Sequence, residues 1–239
     1  MKIKKGILYA MLGLNLLFFV HVSWAQNQGE FKPYTADSVQ TFQNQLPPTN
    51  STENPVQMTT TMKQKCCVSK DKQRVEGTFE VVAKDLKSGE TKFDKTHDKT
   101  ITISRYDKNV SWTLDPATKT YWENNQADIL NLANKSMGAN AKSLDDLVKQ
   151  AEENQELVGT ETIDGQLADK YKLKQGDPSK IYYYLHGTKV PLKFVTSKSV
   201  TEYKNIKIGE PPAELFEIPQ GYTKVAPPPE MQAPSYKDK

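Results

Sequence analysis

The chain has 239 residues, with 32 Lys and Arg against 29 Asp and Glu and a formal net charge of +3. Three of those basic residues and no acidic one fall in residues 1–25, so the rest of the chain carries 29 of each sign. That balance excludes a nucleic-acid or anionic-membrane binder driven by charge, because both need clustered excess Lys or Arg.

The first 25 residues have the three-part pattern of a secretory signal peptide. Lys2, Lys4 and Lys5 precede an apolar run from Ile7 to Val22, broken only by Gly13, Asn15 and His21. Ser23-Trp24-Ala25 then puts small residues at the −3 and −1 positions of a cleavage site. The run is shorter than the ~20 apolar residues of a spanning helix. No Cys stands near Ala25 to be lipidated, and no later stretch is apolar enough to span a membrane. The expectation is an exported protein, periplasmic in the first instance and extracellular as the alternative.

Residues 26–54 contain Pro47-Pro48, Asn50-Ser51-Thr52 and few large apolar side chains. Such composition predicts a flexible linker, although Phe31, Tyr34, Val39 and Phe42 could dock a short piece of it. Residues 225–239, with Pro227-Pro228-Pro229 and Pro234, read as a Pro-rich tail. Residues 55–224 between them are of a size for one domain.

In that domain Val56, Met58, Thr60 and Met62 alternate with polar residues, and a run from Val75 to Asp85 closes on Lys87-Ser88-Gly89-Glu90. Strands follow at Ile101 to Arg105, Val110 to Leu114 and Lys119 to Glu123, separated by Tyr106-Asp107-Lys108-Asn109 and Asp115-Pro116-Ala117-Thr118. Turns at such short intervals predict an antiparallel meander. Residues 126–155 change period: Ile129, Leu130, Leu132 and Ala133 fall at helical spacing, as do Leu144, Leu147, Val148 and Ala151. Ser143 stands as N-cap of the second helix, with Asp146 three residues on. Strands resume around Asp164-Gly165 and Gly187-Thr188, both hairpin signals, and end with Thr201 to Ile208. The class is therefore mostly β with an α+β character, the two helices being the natural cover for the apolar face of the sheet.

Several segments, taken in order, resemble a known group. They are Ser104 to Pro116 followed by Lys119-Thr120-Tyr121-Trp122-Glu123, and Leu157 to Gly165 followed by Ala168-Asp169-Lys170-Tyr171. Pro191-Leu192-Lys193-Phe194, Lys207-Ile208-Gly209 and the Phe216-Glu217-Ile218-Pro219-Gln220-Gly221-Tyr222 ending complete the series. Over about residues 56–224 the chain is similar to exported proteins grouped with the outer-membrane lipoprotein carrier (LolA/LolB-like) family. The resemblance implies an antiparallel incomplete β-barrel, a half-barrel covered by a helical insertion. It also implies an apolar interior suited to a lipid or to the acyl chain of a lipidated protein.

Candidate sites are few. Trp112, Leu114 and Tyr183 are aromatic or apolar strand residues placed to line a ligand cavity, Tyr183 with a core position as its plainer reading. Cys66-Cys67 is the only cysteine pair. It reads as a structural or vicinal disulfide, as free or intermolecular thiols, or as a soft-metal or redox site with His97 or Met62. Alternating strand geometry places adjacent side chains on opposite faces and counts against shared ligation. His97, in Lys95-Thr96-His97-Asp98, reads as a solvated turn residue, and His186 precedes a hairpin glycine. No Gly-x-Ser-x-Gly, His-Glu-x-x-His or phosphate-cradling loop occurs, so no catalytic residue, metal ligand set or cofactor is expected. The function expected is a non-enzymatic envelope protein that binds a hydrophobic ligand. A structural or interaction protein with a filled core and a thiol-based metal or redox protein are the alternatives.

Overall fold

The computed structural model describes residues 30–47, 54–124, 130, 131, 134 and 140–228. The expected signal peptide, most of the first expected helix and the tail beyond 228 lie outside the described residues.

Among the described residues twelve strands build one sheet. They are β1 Tyr34–Leu46, β2 Val56–Val68, β3 Lys72–Asp85, β4 Thr91–Arg105, β5 Val110–Asp115 and β6 Thr120–Asn124, then β7 Gln155–Ile163, β8 Gln166–Leu173, β9 Ile181–Leu185, β10 Pro191–Val195, β11 Ser199–Ile208 and β12 Thr223–Lys224. The order across the sheet is β12-β6-β5-β4-β3-β2-β1-β11-β10-β9-β8-β7. Two meanders, β2–β6 and β7–β11, thus meet on the two sides of β1. All neighbours are antiparallel except β12, which lies parallel to β6. The Asp164-Gly165 turn has φ of 47° and 78°, the left-handed pair that joins two strands through a two-residue loop without splaying them.

Two expectations are corrected here. The half-barrel covered by a helical insertion is not what forms: about 60% of the described residues are strand and about 10% helix, in one sheet that does not close, and no large helical insertion is shown among them. The one helix with a complete span among the described residues is α1, Leu144–Glu153, whose N-cap Ser143 accepts from the Asp146 N–H as its spacing predicts. Strands of 13 to 15 residues from β1 to β4 carry much of the apolar burial that the sequence reading assigned to helical cover.

The stretch read as a linker also differs, because it holds β1 in the middle of the sheet, paired with β2 over its full length. The buried positions of β1 are Tyr34, Ala36, Ser38 and Gln40. Polar residues fill two of those four core positions, so a hydropathy count makes the strand look like a linker. No helix among the described residues is long and apolar enough to cross a membrane.

Register separates two faces. On one, Cys67, Ile101, Ile103 and Leu114 pack beneath Phe216, with Trp112, Tyr121 and Tyr222 around them. The segment that carries Phe216 forms a short 3-10 turn, Ala213–Phe216. Arg74 Nη1 donates to the Leu215 carbonyl at 3.2 Å, and the Arg105 guanidinium, paired with Asp107 at 2.6 Å, also reaches Glu217. Full burial of a Phe side chain is worth roughly 1.5–3 kcal/mol, so this clasp closes that face over β3–β5. The opposite face holds most of the remaining core.

A candidate ligand-binding face

On that opposite face one row of paired residues crosses nine strands. Leu157 of β7 pairs with Tyr171 of β8, which pairs with Tyr182 of β9 and then Phe194 of β10. The row continues through Thr201 of β11, Gln40 of β1, Met62 of β2, Phe79 of β3 and His97 of β4. Side chains in register share a face at the ~4.8 Å strand spacing, so the row from Tyr171 to His97 is about 34 Å long. Tyr182 and Phe194 stack at 4.6 Å between ring centroids, Tyr171 meets Tyr184 edge-on at 5.6 Å, and Phe79 stacks on His97 at 4.2 Å. Met58, Met62 and Val81 surround Phe79, and Tyr34, Cys66 and Tyr203 form the adjoining cluster.

Among the described residues, six buried side-chain polar atoms make no hydrogen bond: Tyr34 Oη, Gln40 Nε2, Gln73 Nε2, His97 Nε2, Trp122 Nε1 and Thr201 Oγ1. Register puts all six on the same face as the row. Gln40 and Thr201 are in it, Gln73 and Tyr34 both pair with Val68, and Trp122 pairs with Thr113, which pairs with Thr102 and then Val75 beside Cys66. Buried polar groups in folded proteins are nearly always paired, since an unpaired one costs about 1–3 kcal/mol. The other face has none among the described residues. The orphaned atoms thus mark one surface.

The β7–β9 end of the row opens into a cavity of about 460 Å³ lined by Gln155, Leu157, Asp169, Tyr171, Lys174 and His186, among others. Leu157 at 50% exposure and the outward-facing His186 ring make its rim. Asp169 Oδ1 sits 2.7 Å from His186 Nδ1, and Oδ2 accepts the Gly187 N–H at 2.9 Å. Behind Tyr171, the Lys189 ammonium lies 4.5 Å from the Tyr171 ring centroid and 5.2 Å from that of Tyr184. Lys189 is 8% exposed, and burial pulls its pKa down against the charges of Glu152 and Asp169. Glu152, near the C-terminal end of α1, is pushed up to about 7 by burial, with Lys189 opposing. Burial likewise raises the Tyr184 hydroxyl pKa, while its hydrogen bond with Gln155 lowers it.

The residues singled out in the sequence do not assemble. Trp112 and Leu114 share the other face and pack against Phe216, while Tyr183, also turned to that face, lies seven strands from β5. At ~4.8 Å per strand that separation is about 34 Å, so the three line no common cavity. Tyr182 and Tyr184, on either side of Tyr183, are the members of the triplet that join the candidate face. Their position was detectable in principle from the register that Phe194 imposes on β9, but pairing is not visible in a single strand.

Cys66 and Cys67 are free, buried and on opposite faces of β2. Burial pushes the Cys66 thiol up to about 12, with Ser38 Oγ 3.6 Å from its Sγ, and burial also raises Cys67. Both shifts disfavour the thiolate that metal binding or thiol chemistry requires. Among the described residues no three His, Cys, Asp or Glu side chains converge as metal ligands. His97, read as a solvated turn residue, instead lies within β4 with its ring stacked on Phe79; burial lowers its pKa.

No protein-family model and no curated protein match this sequence. Among solved structures, PNGF-II in its C2 crystal form is similar with a TM-score of 0.30 and 14% identity, over 82% of this chain and 31% of that one. The chain thus spans about a third of the length of that protein. A likeness this weak bears on neither fold nor function.

Proposed function

We propose that this chain is an exported, non-enzymatic binding protein of the cell envelope, and that it holds a hydrophobic ligand with polar groups along the Tyr171–His97 row. One observation carries the reading: apolar rings and the Met62 thioether lie in register across this face, and every orphaned buried polar atom among the described residues lies on it too. A face closed only by its own side chains would be expected to pair those atoms. An amphiphile offers polar atoms to Gln40, Thr201 and Tyr34, whose buried atoms make no hydrogen bond, and an alkyl chain compatible with an apolar face. The cavity beside Tyr171 is the way in. The leader-like first 25 residues fit the envelope setting, and the ligand class proposed is a lipid or the acyl chain of a lipidated protein.

Native mass spectrometry with lipid extraction tests this on protein purified without detergent from its own envelope. A bound species of lipid mass, retained by the wild type and depleted in Phe194→Ser, is the expected result. A bare polypeptide that also takes up no added alkyl ligand overturns the reading.

A further inference from the structure

We infer that the ligand of this face carries an uncharged acyl carbonyl, of an ester or an amide, between two alkyl chains, and that Gln40 and Thr201 bind its oxygen. This rests on the ligand-binding reading above and names the functional group received at the centre of the same site.

Gln40 of β1 and Thr201 of β11 are paired in register. They are 3% and 6% exposed, yet Gln40 Nε2 and Thr201 Oγ1 make no hydrogen bond. Of the six orphaned atoms, these two alone belong to residues that pair directly across strands. The positions beside them on this face offer no partner. Ser38 Oγ donates to Gln64 Oε1 at 3.4 Å and lies 3.6 Å from Cys66 Sγ. Ser199 Oγ is 3.0 Å from Thr196 Oγ1. Phe42 and Phe194 carry no hydrogen-bonding side-chain atom.

The chemistry of the two atoms selects the group they take. A glutamine Nε2 can only donate, and the Thr201 hydroxyl can turn to donate beside it. One carbonyl oxygen has two lone pairs and accepts from both. A ligand hydroxyl could accept as well, but its own proton would then be left without an acceptor among these neighbours. A carboxylate is disfavoured for a different reason. No Lys, Arg or His stands at the positions of this face next to the pair. Tyr203 is the titratable side chain there, and burial raises its pKa, which keeps it neutral. An anion at this point would give up its hydration and meet no counter-charge.

Position then places the carbonyl between two apolar stretches. Phe194, Tyr182 and Tyr171 extend the row from Thr201 on one side. Met62, Phe79 and His97 extend it from Gln40 on the other. Three strand spacings of ~4.8 Å give about 14 Å on each side. A free fatty acid carries its polar group at one end and would leave one of those stretches empty. An ester or amide with a chain on each side matches both.

Competitive uptake tests this. The purified protein is incubated with an equimolar mixture of hexyl hexanoate, N-hexylhexanamide, tridecane and laurate, gel-filtered, and the retained species are quantified by mass spectrometry. The ester and the amide are expected to be retained at least tenfold over tridecane and over laurate, relative to their free concentrations. The infrared stretch of a 13C-labelled ester carbonyl should fall to lower wavenumber on binding. In the double variant Gln40→Met, Thr201→Val, the preference over tridecane and the infrared shift should both vanish, while tridecane uptake stays within twofold. A double variant that keeps both overturns the assignment of Gln40 and Thr201. Equal wild-type retention of ester, amide and tridecane overturns the carbonyl and leaves ligand binding standing, and it needs no variant to fold. Laurate retained above the ester overturns the uncharged group. Uptake of none of the four overturns both readings together.

Discussion

Asp169 and His186 are joined by a 2.7 Å contact between Oδ1 and Nδ1, and the same carboxylate holds the Gly187 N–H at 2.9 Å. Asp169 lies on β8 and the other two groups lie in the β9–β10 turn, so one side chain ties a hairpin to its neighbouring strand. A histidine oriented by a carboxylate also occurs in hydrolytic sites, but none of the described residues that line the cavity beside this pair is a Ser or Cys. The pair is a structural clamp at the cavity rim. Asp169→Ala should lower stability by about 2 kcal/mol, the cost of losing two hydrogen bonds to a buried carboxylate. His186→Ala should cost less, because its ring is more than half exposed. Urea unfolding of the two variants checks the order; an equal or reversed order shows that the turn is held by other contacts.

Two carboxyl groups should bend the pH dependence of stability in opposite directions. Burial lifts Glu152 from 4.5 to about 7, so the folded protein binds this proton more tightly than the unfolded chain does. Its contribution is full below about pH 4.5 and is lost as the pH rises through about 7. Asp85 behaves in the reverse sense. The Ser88 N–H, the Asn54 amide and the Lys87 N–H lower it from 3.8 to about 2, giving stability that is present above 3.8 and lost as the pH falls through 2. Thermal unfolding from pH 2 to 8 should show Glu152→Gln flattening the slope above 4.5 and Asp85→Asn flattening the acid limb. A slope above 4.5 unchanged by Glu152→Gln would place that carboxyl in water.

Much of the sheet was legible in the sequence. Asp164-Gly165 and Gly187-Thr188 mark turns the structure contains, and Ser143 caps α1. These features rest on local chemistry, which a few residues specify. β1 was missed because Ser38 and Gln40 hold core positions. The candidate face was missed for a related reason: it is a row of partners from nine strands, and cross-strand register is set by pairing between segments far apart in the chain. Lys189 shows the same limit, since nothing in Gly187-Thr188-Lys189-Val190 announces that this lysine meets the ring of Tyr171.

The two thiols should be silent in the native protein. Neighbouring residues on a strand point to opposite faces, and Cys66 and Cys67 join different clusters accordingly. A chromogenic disulfide reagent should label neither within minutes at pH 8 and should label both once the chain is unfolded in guanidinium. Intact mass should show no loss of two hydrogens. A native protein that is two daltons light contains the vicinal disulfide and refutes the opposite-face placement.

Among the described glycines, the closest backbone approach falls at Gly77 of β3. A Cβ there would stand 2.3 Å from the Lys63 carbonyl oxygen and 2.8 Å from Gln64 Cγ, distances that real Cβ atoms do not reach. The β3–β4 register shifts between Gly77 and Phe79, so the strand is already bent where the methyl would enter. Gly77→Ala must therefore push β2 away from β3, next to Met62 and Phe79 of the candidate face. A loss of about 2–4 kcal/mol is expected, within the range of overpacking and backbone strain. Gly89 is the control: its φ of +71° disfavours alanine, but nothing lies within 4 Å of the added methyl. Gly89→Ala should cost about 1 kcal/mol. Chemical denaturation of both variants gives the comparison. Equal losses would mean that β2 and β3 do not approach as closely as this register requires, and the row through Met62 and Phe79 would have to be redrawn.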